Sequence, residues 1–359
     1  MLVFGIESSC DETAFALLED GKKVISECVA SQISIHQPYG GVVPELAARS
    51  HLQASMSLFC ELWSKAQQNH KIDGQDIDLI AVTAGPGLMG SLLVGAEIAK
   101  GLAMSLNVPI IRVNHVLAHV HGIFLKLPTP PLPALSYVIS GGHSHLFYMN
   151  SPTSFSLVAQ TIDDACGECF DKVAHMLQLP YPGGPHLEKL AQKGDPHRFT
   201  MPTMIKEKHR LELSYSGLKT YVFNLLRQLR AESSVPLDMQ TYADIAAAFQ
   251  QEAFLQLVRK LDAALIQYPD VKAVYVSGGV ACNQALRQMF DHHFSKRMPT
   301  YFPDPSLCTD NAQMIASLGY HQVMDWIHQG NTLQDLYASS FNWEPFSRFS
   351  CPKTSTQQS

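Results

Sequence analysis

"LVFGIESSCDETAFALLEDGKKVISECVAS", residues 2–31, is the stretch whose reading decides the fold. It opens with "LVFGIESS", an apolar strand running into a hydroxyl-rich turn, and continues as two more strands joined at Asp20-Gly21. Asp-Gly favours a tight hairpin because both residues tolerate positive φ. Three strands before any helix set the chain apart from a plain doubly wound sheet, in which strand and helix alternate from the start.

Working outward, Leu52, Met56, Phe59 and Trp63 recur at helical spacing, and "IDLIAVTAG" (77–85) reads as a buried strand. "GSLLVGAEIAKGLAMSL" (90–106) is a helix and "VPIIRVN" (108–114) another strand. The proline-rich "KLPTPPLP" (126–133) cannot continue a helix and reads as a linker. After it the order restarts. "ALSYVISGG", "SHLFYMN" and "FSLVAQTI" are three strands, with helix from Gly167. "VKAVYVSGG" is a buried strand, Asn283 starts a helix, and "PTYFPDP" is a short strand. Ile245, Phe249, Ala253, Leu257 and Leu261 mark the stripe of a further helix. The expectation is a duplicated α/β protein of two lobes with a ligand cleft. Lobe I takes 1–112 plus about 312–345, and lobe II takes 113–311 with a mostly helical insertion at about 185–267. Residues 346–359 form a polar tail expected to fray.

At 359 residues the length suggests about two domains. No segment reads as long enough or apolar enough to span a membrane, and "MLVFGIESSCDET" lacks the basic flank of a secretory signal. Eight scattered cysteines then read as reduced thiols, and a cytoplasmic location follows. A net charge of −6 argues against a generic nucleic-acid coat, though not against a local basic face or a basic partner.

Four turns come directly after strands: "ESSCDET" (7–13), "AGPGLMGS" (84–91), "SGGHSH" (140–145) and "SGGVACN" (277–283). Such turns expose backbone N–H groups that can cradle phosphate, and four of them favour a nucleotide-like ligand. Asp11 and Glu12 add acid to the first, as partners of a metal, a water or a nucleophile, or as solvated hairpin residues. In "RVNHVLAHVHG" (112–122), His115 and His119 are four apart and share one helix face. A zinc protease would read H-E-x-x-H, but Val116 stands where the Glu belongs. Two His plus a carboxylate suit a non-haem iron or catalytic zinc site, and Asp310 in "CTDNAQMIA" is the best-placed third ligand. The competing roles are helix decoration for the pair and an N-cap for Asp310. Cys166 and Cys169 form a lone C-x-x-C, read as two incidental thiols. Lys206, Lys208, Arg210, Lys219, Arg227 and Arg230 form either a phosphate-facing surface or a solvated face.

Nine motifs in order resemble one family from residue 1 to about 325: "GIESSCDET", "GGVVPELAARSH", "TAGPGLMGSLLVG", "NHVLAHVHG", "VISGGHSHL", "GECFDKVAHMLQLPYPGGP", "SYSGLKT", "SGGVACN" and "CTDNAQMIA". The sequence resembles the TsaD family, in its stand-alone bacterial form. The resemblance implies the actin/Hsp70/sugar-kinase fold. It implies transfer of threonylcarbamoyl from threonylcarbamoyl-AMP to N6 of adenosine 37, in tRNAs reading codons that begin with A, with release of AMP. It implies one divalent metal, Fe(2+) ahead of Zn(2+), on His115, His119 and Asp310. Substrate contacts are implied at Val138, Ile139, Ser140, Gly141, Gly142, Asp171, Gly184 and Asn283, in a site that ATP or ADP can also occupy. Asp11 and Glu12 are the candidate catalytic acids, and Lys206, Lys208, Arg210 and Lys219 the candidate tRNA contacts. Implied partners are tRNA, the paralogue TsaB, the ATPase TsaE and, in isolation, a second copy; no membrane is implied. The rival readings are an ATP-dependent small-molecule kinase of the same fold and a metallo-glycoprotease.

Overall fold

The computed structural model describes residues 1–207 and 209–349. The chain runs β1 (Leu2–Glu7), β2 (Glu12–Glu19), β3 (Lys23–Ser31), α1 (Ile33–His36), α2 (Pro44–His70), β4 (Leu79–Gly85), α3 (Met89–Leu106), β5 (Ile110–Asn114), α4 (His115–Ala118) and α5 (His121–Lys126). It continues β6 (Ala134–Ile139), β7 (Ser144–Ser151), β8 (Ser154–Gln160), α6 (Cys166–Met176), α7 (Gly183–Ala191), α8 (Ser216–Glu232), α9 (Met239–Gln267), β9 (Ala273–Ser277), α10 (Gln284–Phe294) and β10 (Thr300–Tyr301). Helices α11 (Pro305–Cys308), α12 (Ala312–His328) and α13 (Leu333–Ser339) close it.

The chain forms two sheets of five strands, ordered β3-β2-β1-β4-β5 and β10-β9-β6-β7-β8. Read from opposite ends, both run third-second-first-fourth-fifth. In the first sheet β1 is antiparallel to β2 and parallel to β4. In the second β6 is parallel to β9 and β9 to β10. The hairpin at Asp20-Gly21 forms as expected, with φ of 52° and 64°.

Two compact units result. The first comprises residues 1–130, 149–155 and 303–359, and the second 131–148 and 156–302. These ranges differ from the expected division at 112 and 312. The reason is packing: α4 and α5, placed by expectation in lobe II, lie against α12 in the first unit. The core of the first unit is apolar sheet against helix, with Phe4, Ile6, Phe15, Leu17, Leu58, Leu62, Ile80 and Val82 buried. Each such side chain contributes about 1.5–3 kcal/mol when fully buried. In the second unit, Tyr137, Phe147, Phe249, Phe254 and Phe290 are fully buried.

Three expectations need correction. The buried stripe of α2 is Ala47, His51, Ser55, Leu58, Leu62 and Ala66, while Leu52 and Met56 are exposed. Helix α3 has a mean hydropathy of 1.3 over 18 residues, long and apolar enough for a membrane span; its small residues pack it against β4 and α2. The region 185–267 carries helices α7, α8 and α9, with irregular chain between α7 and α8. Phe346 packs on the core and its N–H bonds the Ala84 carbonyl, so the expected tail does not fray there; residues 350–359 lie outside the described residues. The seven cysteines among the described residues are free thiols.

Candidate metal centre

Strand β5 ends at Asn114, whose side-chain oxygen accepts from the N–H of Val116 and Leu117 and so starts α4. The helix lasts four residues, and His119 is its C-cap, not an interior position. One helical bond, His119 N–H to His115 C=O at 3.4 Å, still relates the two residues by a turn. Their rings lie 4.7 Å apart at 73°. His121 points away, buried, its ring nitrogens near Ser317 Oγ and the Pro152 carbonyl.

Asp310 arrives from the loop between α11 and α12. The N-cap of α12 is its neighbour Asn311, which accepts from Met314 N–H. The Asp310 carboxylate is thereby left for the histidines. Its Oδ1 lies 3.5 Å from His115 Nε2 and 3.4 Å from His119 Nε2. One ligand atom from each of the three residues falls within 4.8 Å of the other two. A direct charge-assisted hydrogen bond would be about 2.7–2.9 Å. Two donors each about 2.1 Å from a shared ion, at a tetrahedral angle, lie about 3.4 Å apart. The measured spacing fits ligands of one ion better than it fits an ion pair.

Behind His115 stands Glu7, a fully buried carboxylate at the end of β1 that the motif reading passed over. Its Oε2 accepts from Thr83 Oγ1 at 2.6 Å and meets His115 Nδ1 at 3.0 Å, and its Oε1 accepts from Ser9 N–H at 2.6 Å. Ser9 Oγ lies 3.2 Å from the same Nδ1. The bond to Glu7 places the proton on Nδ1 and presents Nε2 to Asp310. Sequence offered one signal for Glu7: an acid closing an otherwise apolar strand.

The electrostatics are those of an acid cluster. Burial pushes the Glu7 carboxyl up, but the His115 charge and hydrogen bonds from His115, Ser9 and Thr83 hold it down at about 2. Burial lowers His115, while the charges of Glu7 and Asp310 and the bond to Glu7 raise it to about 9. Asp310 is raised to about 6 by burial, against the pull of His115 and with the repulsion of Glu7 and Asp11. Glu12 is pushed up to about 10 by burial, then by Asp310 and Asp11. Two imidazoles among several carboxylates suit a divalent cation. Asp11 and Glu12 thus share the electrostatic field of the triad. The second glycine turn of the same unit reaches this loop, through Leu88 N–H on the Ser9 carbonyl at 2.8 Å.

The remaining predicted residues lie in the second unit. Val138 and Ile139 are buried at the end of β6, and Gly141 and Gly142 are exposed. The carbonyls of Ser140 and Gly141 accept from Gly167 and Glu168 N–H, so these first donors of α6 are spent on protein and not left for phosphate. Asp171 Oδ1 accepts from Gly183 N–H at 2.8 Å, bringing it beside Gly184. Asn283 caps α10 and donates to Gln250 Oε1 at 2.9 Å, a structural role the motif did not show. Of the basic candidates, Lys206 is exposed, Arg210 faces Glu212 at 3.5 Å, and Lys219 is ion-paired with Asp164. Lys208 lies outside the described residues. Burial pushes the thiols of Cys166 up to about 12 and of Cys169 further, which fits inert core cysteines.

A family model described as TsaD, tRNA N6-adenosine threonylcarbamoyltransferase, matches residues 23–317. The chain belongs to the TsaD family. It is 43% identical over 342 residues to the tRNA N6-adenosine threonylcarbamoyltransferase of Dictyoglomus turgidum, covering 95% of this chain and 97% of the relative. Among solved structures it is similar to full-length HypF in a phosphate- and nucleotide-bound form, with a TM-score of 0.58 and 14% identity over 92% of this chain and 56% of that one. It is also similar to component A of the Acidaminococcus fermentans (R)-2-hydroxyglutaryl-CoA dehydratase, with a TM-score of 0.50 and 16% identity over 90% and 99% of the two chains. The fold is that of the actin-like ATPases and sugar kinases. The chain is an enzyme, an acyl-type transferase with tRNA N6-adenosine threonylcarbamoyltransferase activity.

Proposed function

We propose that this TsaD-family chain moves the threonylcarbamoyl group from threonylcarbamoyl-AMP to N6 of adenosine 37 in tRNAs reading codons that begin with A. The observation that carries the reading is the tetrahedral-edge spacing of Asp310 Oδ1 from the two histidine Nε2 atoms, 3.5 and 3.4 Å. His115, His119 and Asp310 hold one divalent ion, Fe(2+) ahead of Zn(2+). Bound there, it supplies positive charge for the donor's phosphate or carboxylate.

The chain's own residues account for the rest. The adenine N6 attacks the carbamoyl carbon, the bond from that carbon to the phosphate oxygen breaks, and AMP leaves with the electron pair. The amine proton passes to Asp11. Glu12, beside Asp11 in the same turn, has its carboxyl raised first by burial and then by Asp310 and Asp11, and in its protonated form donates a hydrogen bond. Glu7 keeps the proton of His115 on Nδ1. Val138, Ile139, Ser140, Gly141, Gly142, Asp171, Gly184 and Asn283 orient the adenylate, and the same residues accept ATP or ADP. AMP leaves readily, so positioning provides most of the acceleration.

Lys206, Lys208, Arg210 and Lys219 contact tRNA in this reading. TsaB and TsaE are the working partners, a homodimer forms in their absence, and the location is cytoplasmic. Exposed Leu52 and Met56 on α2, with Met89 and Leu93 on the adjoining α3, support a protein partner. The test is direct. The purified chain, with both partners, receives synthetic threonylcarbamoyl-AMP and an unmodified tRNA transcript, and the digested nucleosides are weighed by mass spectrometry. The modified nucleoside is expected from this transcript and not from one with adenosine 37 replaced; its absence with active partners rejects the reading.

A further inference from the structure

The motif "GGVVPELAARSH" ends at His51, which neither the metal ligands nor the acids account for. His51 is fully buried on the inner face of α2. Its Nε2 lies 3.0 Å from the Cys10 carbonyl and its Nδ1 lies 2.7 Å from Thr13 Oγ1. A carbonyl only accepts, so Nε2 carries the proton and Nδ1 accepts the Thr13 hydroxyl. Both ring nitrogens are used and the ring is neutral, in keeping with burial, which lowers its pKa.

The two bonded residues bracket Asp11 and Glu12, one immediately before and one immediately after. Further bonds hold the same loop, among them Leu88 N–H on the Ser9 carbonyl at 2.8 Å, Gln32 N–H on the Asp11 carbonyl at 2.9 Å and Ser91 Oγ on the Cys10 carbonyl at 3.4 Å. The loop needs holding. The Asp11 and Glu12 carboxyls lie close to each other and to Asp310, and the turn that carries them keeps one geometry only while its anchors hold it. Among these anchors His51 alone grips both ends.

We propose that His51 is a positioning residue, fixing the two-acid turn in the geometry required for transfer without touching substrate. This rests on the reading that Asp11 and Glu12 act in the reaction. The experiment compares His51→Ala, His51→Phe and His51→Gln with Asp11→Asn and Glu12→Gln in the reconstituted transfer assay. Melting temperature and metal content by elemental analysis are recorded for each. Phe keeps the volume and removes both bonds, whereas the Gln amide reaches the Cys10 carbonyl.

The expected result is a kcat about tenfold to hundredfold lower for Ala and Phe. The KM for tRNA and the metal content stay within about twofold of the parent, and Gln recovers part of the rate. Unchanged kcat in Ala and Phe, alongside slow Asp11→Asn and Glu12→Gln, overturns the proposal alone. A kcat loss that only tracks lost metal or lost melting temperature also overturns it. Parent-like rates in both acid variants overturn the reading of the turn, and this proposal with it. Should the His51 variants not fold, Thr13→Val removes a single hydroxyl from the same clamp. A several-fold lower kcat there supports the proposal, and no change overturns it.

Discussion

The two sheets share one strand order but differ in the turn that leaves their first strand. At and after the end of β1 the chain places Glu7, Asp11 and Glu12, and the stretch is held by the side chains of His51, Thr83 and Ser91 together with the Gln32 and Leu88 N–H groups. After β6 it places "SGGHSH", with no acid, and backbone carbonyls tie the turn to α6. One topology therefore supplies two positions, and a handful of side chains decides that the first collects charge while the second presents bare backbone. The candidate metal ligands His115, His119 and Asp310 belong wholly to the first unit.

The sharpest way to break this asymmetry is to remove a ligand. His115→Ala or Asp310→Ala should abolish retained metal and lower transfer by at least about a thousandfold. Metal per chain and modified nucleoside, measured on the same sample, check it, and transfer at parent rate without metal refutes the assignment. Next in size is Glu7→Gln, which keeps the shape but takes the charge from behind His115. Metal affinity should fall by about 10–100-fold, read by competition with a chromogenic chelator.

Acid should weaken the same site. His115 in the metal-free protein is raised to about 9, so at neutral pH binding must displace its proton. Affinity should rise with pH, by up to about tenfold per unit between roughly pH 7 and 9, and binding should release protons to a weak buffer. Calorimetry in buffers of different ionisation enthalpy measures that release.

The second unit should answer in stability instead of metal content. Exposed Asp163 accepts from the N–H of Tyr215 and Ser216 and from the hydroxyls of Ser214 and Ser216, which anchors the start of α8. Asp163→Ala should cost about 1–2 kcal/mol, seen as a lower melting temperature with metal unchanged. Burial raises its carboxyl, but these bonds outweigh that and lower it. The stabilisation is therefore present above the unfolded value of about 3.9 and is lost as pH falls through the lower folded value. Solvent screening keeps it small. Smallest of all should be Lys219→Ala. Its charge is spent on Asp164, so tRNA affinity should drop less than for Lys206→Ala, compared through the salt dependence of binding.

Sequence disclosed the sheets because their strands are buried apolar runs, and the repeated order of three strands before a crossover survived without residue identity between the halves. The His115/His119 pair and Asp310 were visible as residue types at workable spacings. Three things were hidden. Apolar Leu52 and Met56 invited a buried stripe, but His51 and Ser55 face inward in their place, His51 with both ring nitrogens on the Cys10–Thr13 turn. The unit boundary was invisible because it depends on α4 and α5 packing against α12, nearly two hundred residues away in sequence. Asp310 was open to reading as the N-cap of α12, and only the observed bond of Met314 N–H to Asn311 gives that role to its neighbour and leaves Asp310 as a candidate ligand.

Gly5 gives the candidate metal centre a property none of its three side chains supplies. A methyl group at residue 5 would come within 2.4 Å of the Ala312 carbonyl and 3.0 Å of the Ala316 Cβ. Strand β1 and helix α12 touch at this point, two residues before Glu7 on one side and two after Asp310 on the other. The gap between them works as a gauge block: its thickness is a bare backbone, and it sets how far Asp310 stands from the carboxylate behind His115. The bite of the site is thus calibrated by a residue with no side chain, and an added carbon there would widen the jaws while leaving every ligand in the sequence.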